Sequence, residues 1–156
     1  MIEISATVSL KADKRPRSYF LALHQANMFY ISNMTSDMLT HEIIGAAIEV
    51  HRHWGPGLYE DIYEKSLCQE LRLRNIPFIN QVTLPLIYKG ETVGADLRLD
   101  MLVDNAIVVE IKAVAALESI HESQLLTYLR LTKCRVGLLI NFNSPVIKSG
   151  IKRMVL

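Results

Sequence analysis

From residue 36 onward the hydrophobic positions fall into two periods. Leu39, Ile43, Ala46, Ala47 and Val50 recur at helical spacing, with Ser36, Asp37 and Thr40 as N-cap candidates. Trp54-Gly55-Pro56-Gly57 breaks that helix. A second helix is predicted from after Gly57 to about Arg74, with Ile62, Leu67, Leu71 and Leu73 as its apolar side. The period then changes to two. Val82, Leu84, Leu86 and Tyr88 alternate along a strand over 79–88, where Pro85 marks an edge or an irregularity. Lys89-Gly90 turns the chain into a strand over 92–103. On it Leu97, Leu99, Met101 and Val103 are expected on one face and Asp96, Arg98, Asp100 and Leu102 on the other. Asp104-Asn105 turns it again, into 106–113. A third helix is expected over 120–132, and a short apolar strand over 135–142 that suits an interior place beside parallel neighbours. The tail from Val146, with Lys148, Lys152 and Arg153, reads as a last helix or strand. Helix, helix, three hairpin-connected strands, helix and strand make an α/β or α+β domain, a mixed sheet flanked by helices.

Residues 1–35 lack this regularity. A loose alternation over 1–10 gives way to a basic cluster, Lys11, Lys14, Arg15 and Arg17, and then to a stretch with no period. They are expected to form a weakly attached or poorly ordered arm, or to precede a true start at Met34 or Met38. The remainder, 36–156, is one domain, as suits a chain of 156 residues. Half the residues are hydrophobic and 21% are charged, as in a soluble globular protein. A formal charge of +1 favours no class of partner. Cys68 and Cys134 have no metal-ligand spacing and read as buried free thiols. No run approaches the roughly 20 apolar residues of a membrane span, and no apolar signal core opens the chain, so the expected location is the cytoplasm. His51 and His53 are two apart and do not share a helix face, which argues against a metal pair there.

The candidate chemistry lies on the strand over 106–113. Glu110 and Lys112 share one face, while Ile107, Val109, Ile111 and Ala113 occupy the other. Charges on so apolar a strand are either an ion pair at an exposed face or part of a site. Asp100, across the hairpin, brings a second acid to the same end, and two converging carboxylates are ordinarily reconciled by a cation. Glu60 stands at the start of the second helix, where an acid is also a favourable dipole partner. Gln124 and Tyr128, four apart, share a side of the third helix.

That order of elements, with Asp100, Glu110 and Lys112, resembles the PD-(D/E)XK nuclease superfamily and its restriction-endonuclease-like α-β-β-β-α-β core, here with an additional N-terminal helix. Gly57-Leu-Tyr-Glu60-Asp-Ile-Tyr63 resembles the motif of the GxxExxY proteins within it. So do the helix before Gly55-Pro-Gly-Leu58, the Glu110-Ile-Lys112-Ala segment and Leu139-Ile-Asn-Phe142, a resemblance covering about residues 38–156. The proline that precedes the aspartate in the superfamily is replaced by Leu99. The resemblance implies a metal-dependent nuclease, with DNA as the expected substrate. Asp100, Glu110, the backbone carbonyl of Ile111 and Glu60 would hold Mg²⁺ or Mn²⁺, and Lys112 would orient water and stabilise phosphoryl charge. Gln124 and Tyr128 would be a QxxxY element at the substrate, or simply a hydrogen-bonded helix face. Tyr63 would close the pocket wall or orient Glu60, and His121 would reach a phosphate or lie solvated. The alternative is a catalytically inactive module of the same fold that binds nucleic acid or a protein.

Overall fold

The computed structural model describes residues 34–94 and 96–156, so the expected arm, but for its last two residues, lies outside the described part. Helix α1, Ser36–Trp54, buries the predicted periodic positions Leu39, Ile43, Ala46, Ala47 and Val50. Its N-cap is Thr35, one residue before the predicted candidates: Thr35 Oγ1 accepts from the Met38 N–H at 3.2 Å. Gly55, at φ 67°, ends it. Helix α2, Glu60–Leu73, packs through Tyr63, Leu67, Cys68 and Leu71. Leu73, expected on that side, is 67% exposed, because the buried stripe closes at Leu71.

Pro85 divides what reads as one long strand. Strand β1, Phe78–Leu84, stops before it, and the chain continues as β2, Ile87–Tyr88, paired with β3, Glu91–Thr92, in a separate ribbon. Lys89 (φ 50°) and Gly90 (φ 90°) close that ribbon, the double positive φ of a tight hairpin. There follow β4, Leu97–Val103, β5, Ile107–Lys112, helix α3, Ser119–Thr132, and β6, Val136–Asn141. The tail is both of its alternatives: a 3-10 turn, Ile147–Gly150, leads into β7, Ile151–Val155.

The main sheet runs β1-β4-β5-β6-β7, and only β5 and β6 are parallel, joined by the crossover through α3. Strand β6 is buried at all six positions, interior as predicted, although β7 on its far side is antiparallel. Helices α1 and α2 cover one face of the sheet against Met101, Val103, Ile107, Val109 and Ile111. Helix α3 covers the other with Leu125, Tyr128 and Leu129 on Leu99, Val108 and Leu139. Cys68 and Cys134 are buried and unbridged. Among the described residues no helix is long and apolar enough to cross a membrane.

One expectation about β4 fails. Leu97 and Leu99 pack in the α3 layer, whereas Met101 and Val103 pack in the α1–α2 layer. Strand β1 does the same, with Phe78 in one layer and Val82 and Leu84 in the other. Both strands therefore exchange faces between these positions. The cause lies at Gln81, whose φ of 55° is left-handed; no pair forms between Gln81 and Asp100 although their neighbours on both sides are paired. A single residue out of the extended region rotates all that follows, so strict alternation cannot hold through it.

Helix α3 docks closely because Gly137 on β6 has no side chain: a Cβ there would stand 2.8 Å from Leu125 Cδ1. Gly137→Ala is expected to overpack this contact and lower unfolding free energy by about 1–3 kcal/mol in urea titration. An unchanged midpoint would show that Leu125 moves aside without loss.

Candidate active site

The site begins where the β4–β5 ladder ends. Asp104 (φ 49°) and Asn105 (φ 52°) make the turn, residue types that tolerate left-handed backbone. From it the strands pair Val103 with Ile107, Leu102 with Val108 and Met101 with Val109, and then stop. At the next step Asp100 Oδ2 accepts the Ile111 N–H at 2.7 Å, so a carboxylate takes the position of a strand carbonyl. An extended residue turns its N–H and C=O to the same side, so the Ile111 carbonyl also faces β4. The other edge of β5 stays paired with β6 as far as Lys112 and Asn141, and the Phe142 N–H donates to the Lys112 carbonyl at 2.8 Å.

Glu110 and Lys112 project together, away from the layer that holds Val109 and Ile111. Glu110 is 1% exposed. Its Oε1 accepts from Lys112 Nζ at 2.6 Å, while its Oε2 is buried without a hydrogen-bond partner. Burial pushes the Asp100 carboxyl up to about 6, against the opposing effects of the Ile111 N–H and Lys112, and Glu60 and Glu64 add to the rise. Burial, then the charge of Asp100, pushes Glu110 up to about 7 despite Lys112. For Lys112, burial acts downward, but the hydrogen bond and charge of Glu110, with Glu60 and Asp100 behind, hold the ammonium above its ordinary range. The cluster is thus acids that resist ionising around a lysine that stays charged.

Glu60 is the first residue of α2 and half-buried, and its charge reaches Asp100, Glu110 and Lys112. Among the described residues, however, no three His, Cys, Asp or Glu side chains converge as a ready-made metal cluster. Tyr63 is fully buried and stacks on Phe142 with ring centroids 4.7 Å apart. Its hydroxyl donates to the Gly55 carbonyl at 2.6 Å and accepts the Leu58 N–H at 3.1 Å, so it pins the loop that leads into Glu60. Tyr128 is buried on α3; its hydroxyl donates to the Arg98 carbonyl at 2.8 Å and accepts from Gln124 Nε2 at 2.9 Å. Burial raises that phenol, with a contribution from Glu110 and Asp100 once the opposing Gln124 contact is counted. His121 caps α3: its Nδ1 accepts the Glu118 N–H at 3.0 Å.

Three residues at the site carry no signal in the motif. Glu64, one turn after Glu60, adds its charge to Asp100 and accepts from Gln81 Nε2 at 2.5 Å. The i,i+4 spacing of the two glutamates was its trace in the sequence. Gln81 stands opposite Asp100, and nothing in its local pattern announces a left-handed residue. Asn141, buried at the end of β6, bonds both the N–H and the carbonyl of Val114 and so fixes the chain beyond Lys112; a polar residue closing an apolar strand was its trace.

A model of the PD-(D/E)XK nuclease superfamily matches residues 37–154. No curated protein matches the sequence. Among solved structures the chain is similar to one described as the crystal structure of SSO0001, at 18% identity and a TM-score of 0.48, covering 90% of this chain and 78% of that one. A likeness at that level carries no function across.

Asp100 and Glu110 hold their protons more tightly in the fold than in the unfolded chain. The stability they lend is therefore complete below their unfolded values, near pH 4, and is lost as pH rises through about 6 and about 7. In chelator, stability is expected to fall between about pH 4 and about pH 7 and to level off above that. Asp100→Asn keeps an acceptor for the Ile111 N–H and should flatten that slope, gaining on the order of 1–2 kcal/mol at pH 8 in denaturant unfolding. A loss of stability at pH 8 would show that the ionised carboxylate is favourable in the fold.

Proposed function

The chain belongs to the PD-(D/E)XK nuclease superfamily, and from that membership we propose that it is a divalent-metal-dependent nuclease acting on DNA. Within the superfamily we propose a place among the GxxExxY proteins. The two unbridged, buried thiols fit work in the reducing cytoplasm. The observation that carries the reading is Glu110 Oε2, buried without a partner beside a second carboxyl, Asp100. A buried acceptor left open is costly unless a cation or donor completes it.

The donor set fits Mg²⁺ or Mn²⁺: Asp100, Glu110 and the Ile111 carbonyl are hard oxygens, with no thiolate or imidazole among them. Two carboxylates suffice for Mg²⁺, which keeps waters and takes phosphate oxygens in its remaining positions. Such an ion supplies Lewis-acid neutralisation of phosphoryl charge and makes water a stronger nucleophile. Lys112, held protonated by Glu110, serves as a positive donor to a phosphoryl oxygen and an orienter of water, and a charged ammonium cannot act as the base. Glu60 supplies a third acid at longer range, through water. Gln124, backed by Tyr128, meets the substrate. With Nδ1 of His121 occupied as an acceptor, Nε2 is the ring nitrogen left to donate to a phosphate at the start of α3. Tyr63 keeps the entry loop to Glu60 fixed.

Purified protein with Mg²⁺ or Mn²⁺ is expected to cleave DNA. Lys112→Ala and Asp100→Asn should each lower the rate by roughly 10²–10³ while the circular dichroism spectrum is unchanged. Mn²⁺ should also raise the melting temperature, since a ligand of the native state stabilises it. RNA and single- and double-stranded DNA belong in the same assay, because cleavage of RNA alone would move the substrate. No cleavage of any of them and no metal-linked shift would leave the inactive binding module as the function.

A further inference from the structure

Glu64 and Gln81 stand outside the superfamily motif, yet they meet at the one place where two strands lose their register of faces. Consecutive residues of a strand point to opposite faces, so one acid should not reach both Asn80 and Gln81. Glu64 does: its Oε2 accepts from Gln81 Nε2 at 2.5 Å and its Oε1 from Asn80 Nδ2 at 3.4 Å. The left-handed backbone of Gln81 (φ 55°) makes this possible. Across the sheet the step is matched at Asp100. The pairs Asn80–Met101 and Val82–Leu99 flank a missing Gln81–Asp100 pair, and Leu99 and Met101 pack in opposite layers. A residue between two such neighbours has no face of its own. Asp100 accordingly turns into the plane of the sheet, where its carboxylate accepts the Ile111 N–H.

We infer that Glu64 and Gln81 are positioning residues: the grip of Glu64 on the side chains of Asn80 and Gln81 holds the twist of β1 and β4 that swings Asp100 from the sheet face onto the edge of β5. Non-glycine residues leave the left-handed region unless their surroundings hold them there, and the Glu64 carboxylate, on the rigid helix α2, is that hold. Released, β1 and β4 regain regular alternation, and Asp100 leaves the edge that carries the Ile111 carbonyl. The inference rests on the metal-dependent reading only for what the positioned carboxylate then does.

The test reads the position of Asp100 apart from any metal. Amide hydrogen exchange in chelator is measured for Ile111, with Leu138 and Ile140 of the fully buried strand β6 as controls for folding. In Glu64→Ala and in Gln81→Ala, the Ile111 amide is expected to exchange at least about tenfold faster while the controls keep their rates. Glu64→Gln keeps an acceptor for the Gln81 amide without the charge, and should stay within about threefold of the parent. The Mn²⁺ midpoint of the thermal shift should rise about tenfold in the two alanine variants and little in Glu64→Gln. Unchanged Ile111 exchange in both alanine variants would overturn the inference. So would a Glu64→Gln protein as loose as Glu64→Ala, which would assign the effect to charge. If Ile111 loosens as expected but the parent binds no Mn²⁺, the positioning stands and the metal reading falls.

Discussion

The bond between the Asp100 carboxylate and the Ile111 N–H is the constraint on which the site depends. A strand N–H inside a sheet must be satisfied, and ordinarily the neighbouring strand does it with a carbonyl. Here β4 and β5 part after Met101 and Val109, and a side chain replaces the missing carbonyl. The exchange keeps the backbone of β5 paired while it places an acid at the edge of a strand. It also fixes that acid beside Glu110 and on the same edge as the Ile111 carbonyl. Around it lie the left-handed Gln81 of the neighbouring strand and, beyond Lys112, a chain pinned by Asn141.

The cost is carried by electrostatics. A buried acid, Glu110, and a half-buried one, Asp100, stand next to each other and both resist ionisation, and one carboxylate oxygen has nothing to bind. Lys112 offsets part of this, and a buried pair of this kind is seldom a gain over apolar packing. The rest of the fold makes the arrangement tolerable: six buried positions on β6, apolar layers on both sheet faces, and a glycine that lets α3 close against the sheet. Stability is invested in the scaffold, and strain is concentrated at the one end of the hairpin where chemistry is expected.

Much of this was legible from residue order. The helices over Ser36–Trp54 and Ser119–Thr132 follow directly from apolar spacing and their breakers, because packing against a sheet needs a stripe and the stripe is written in the sequence. Glu110 and Lys112 sharing a face opposite Val109 and Ile111 needed only the period of a strand. The same period misled at β4, where Leu99 and Met101 were placed together. Pro85 was readable as an irregularity, but not as the end of one sheet and the start of a second.

The sequence by itself determined which residues are candidates for chemistry and which elements hold them, since both depend on side-chain type and local periodicity. Tertiary structure alone decided how they meet. Gln81 adopts a left-handed backbone that no local preference demands, held by a glutamate seventeen positions earlier. Asp100 thereby lies in the plane of the sheet, not on its face, and Tyr63 and Tyr128 spend their hydroxyls on backbone carbonyls brought to them by folding. Proton affinities follow the same division: a carboxyl type is read from the chain, but burial and neighbouring charge, which raise Asp100 and Glu110 toward neutrality, exist only once the chain has closed around them.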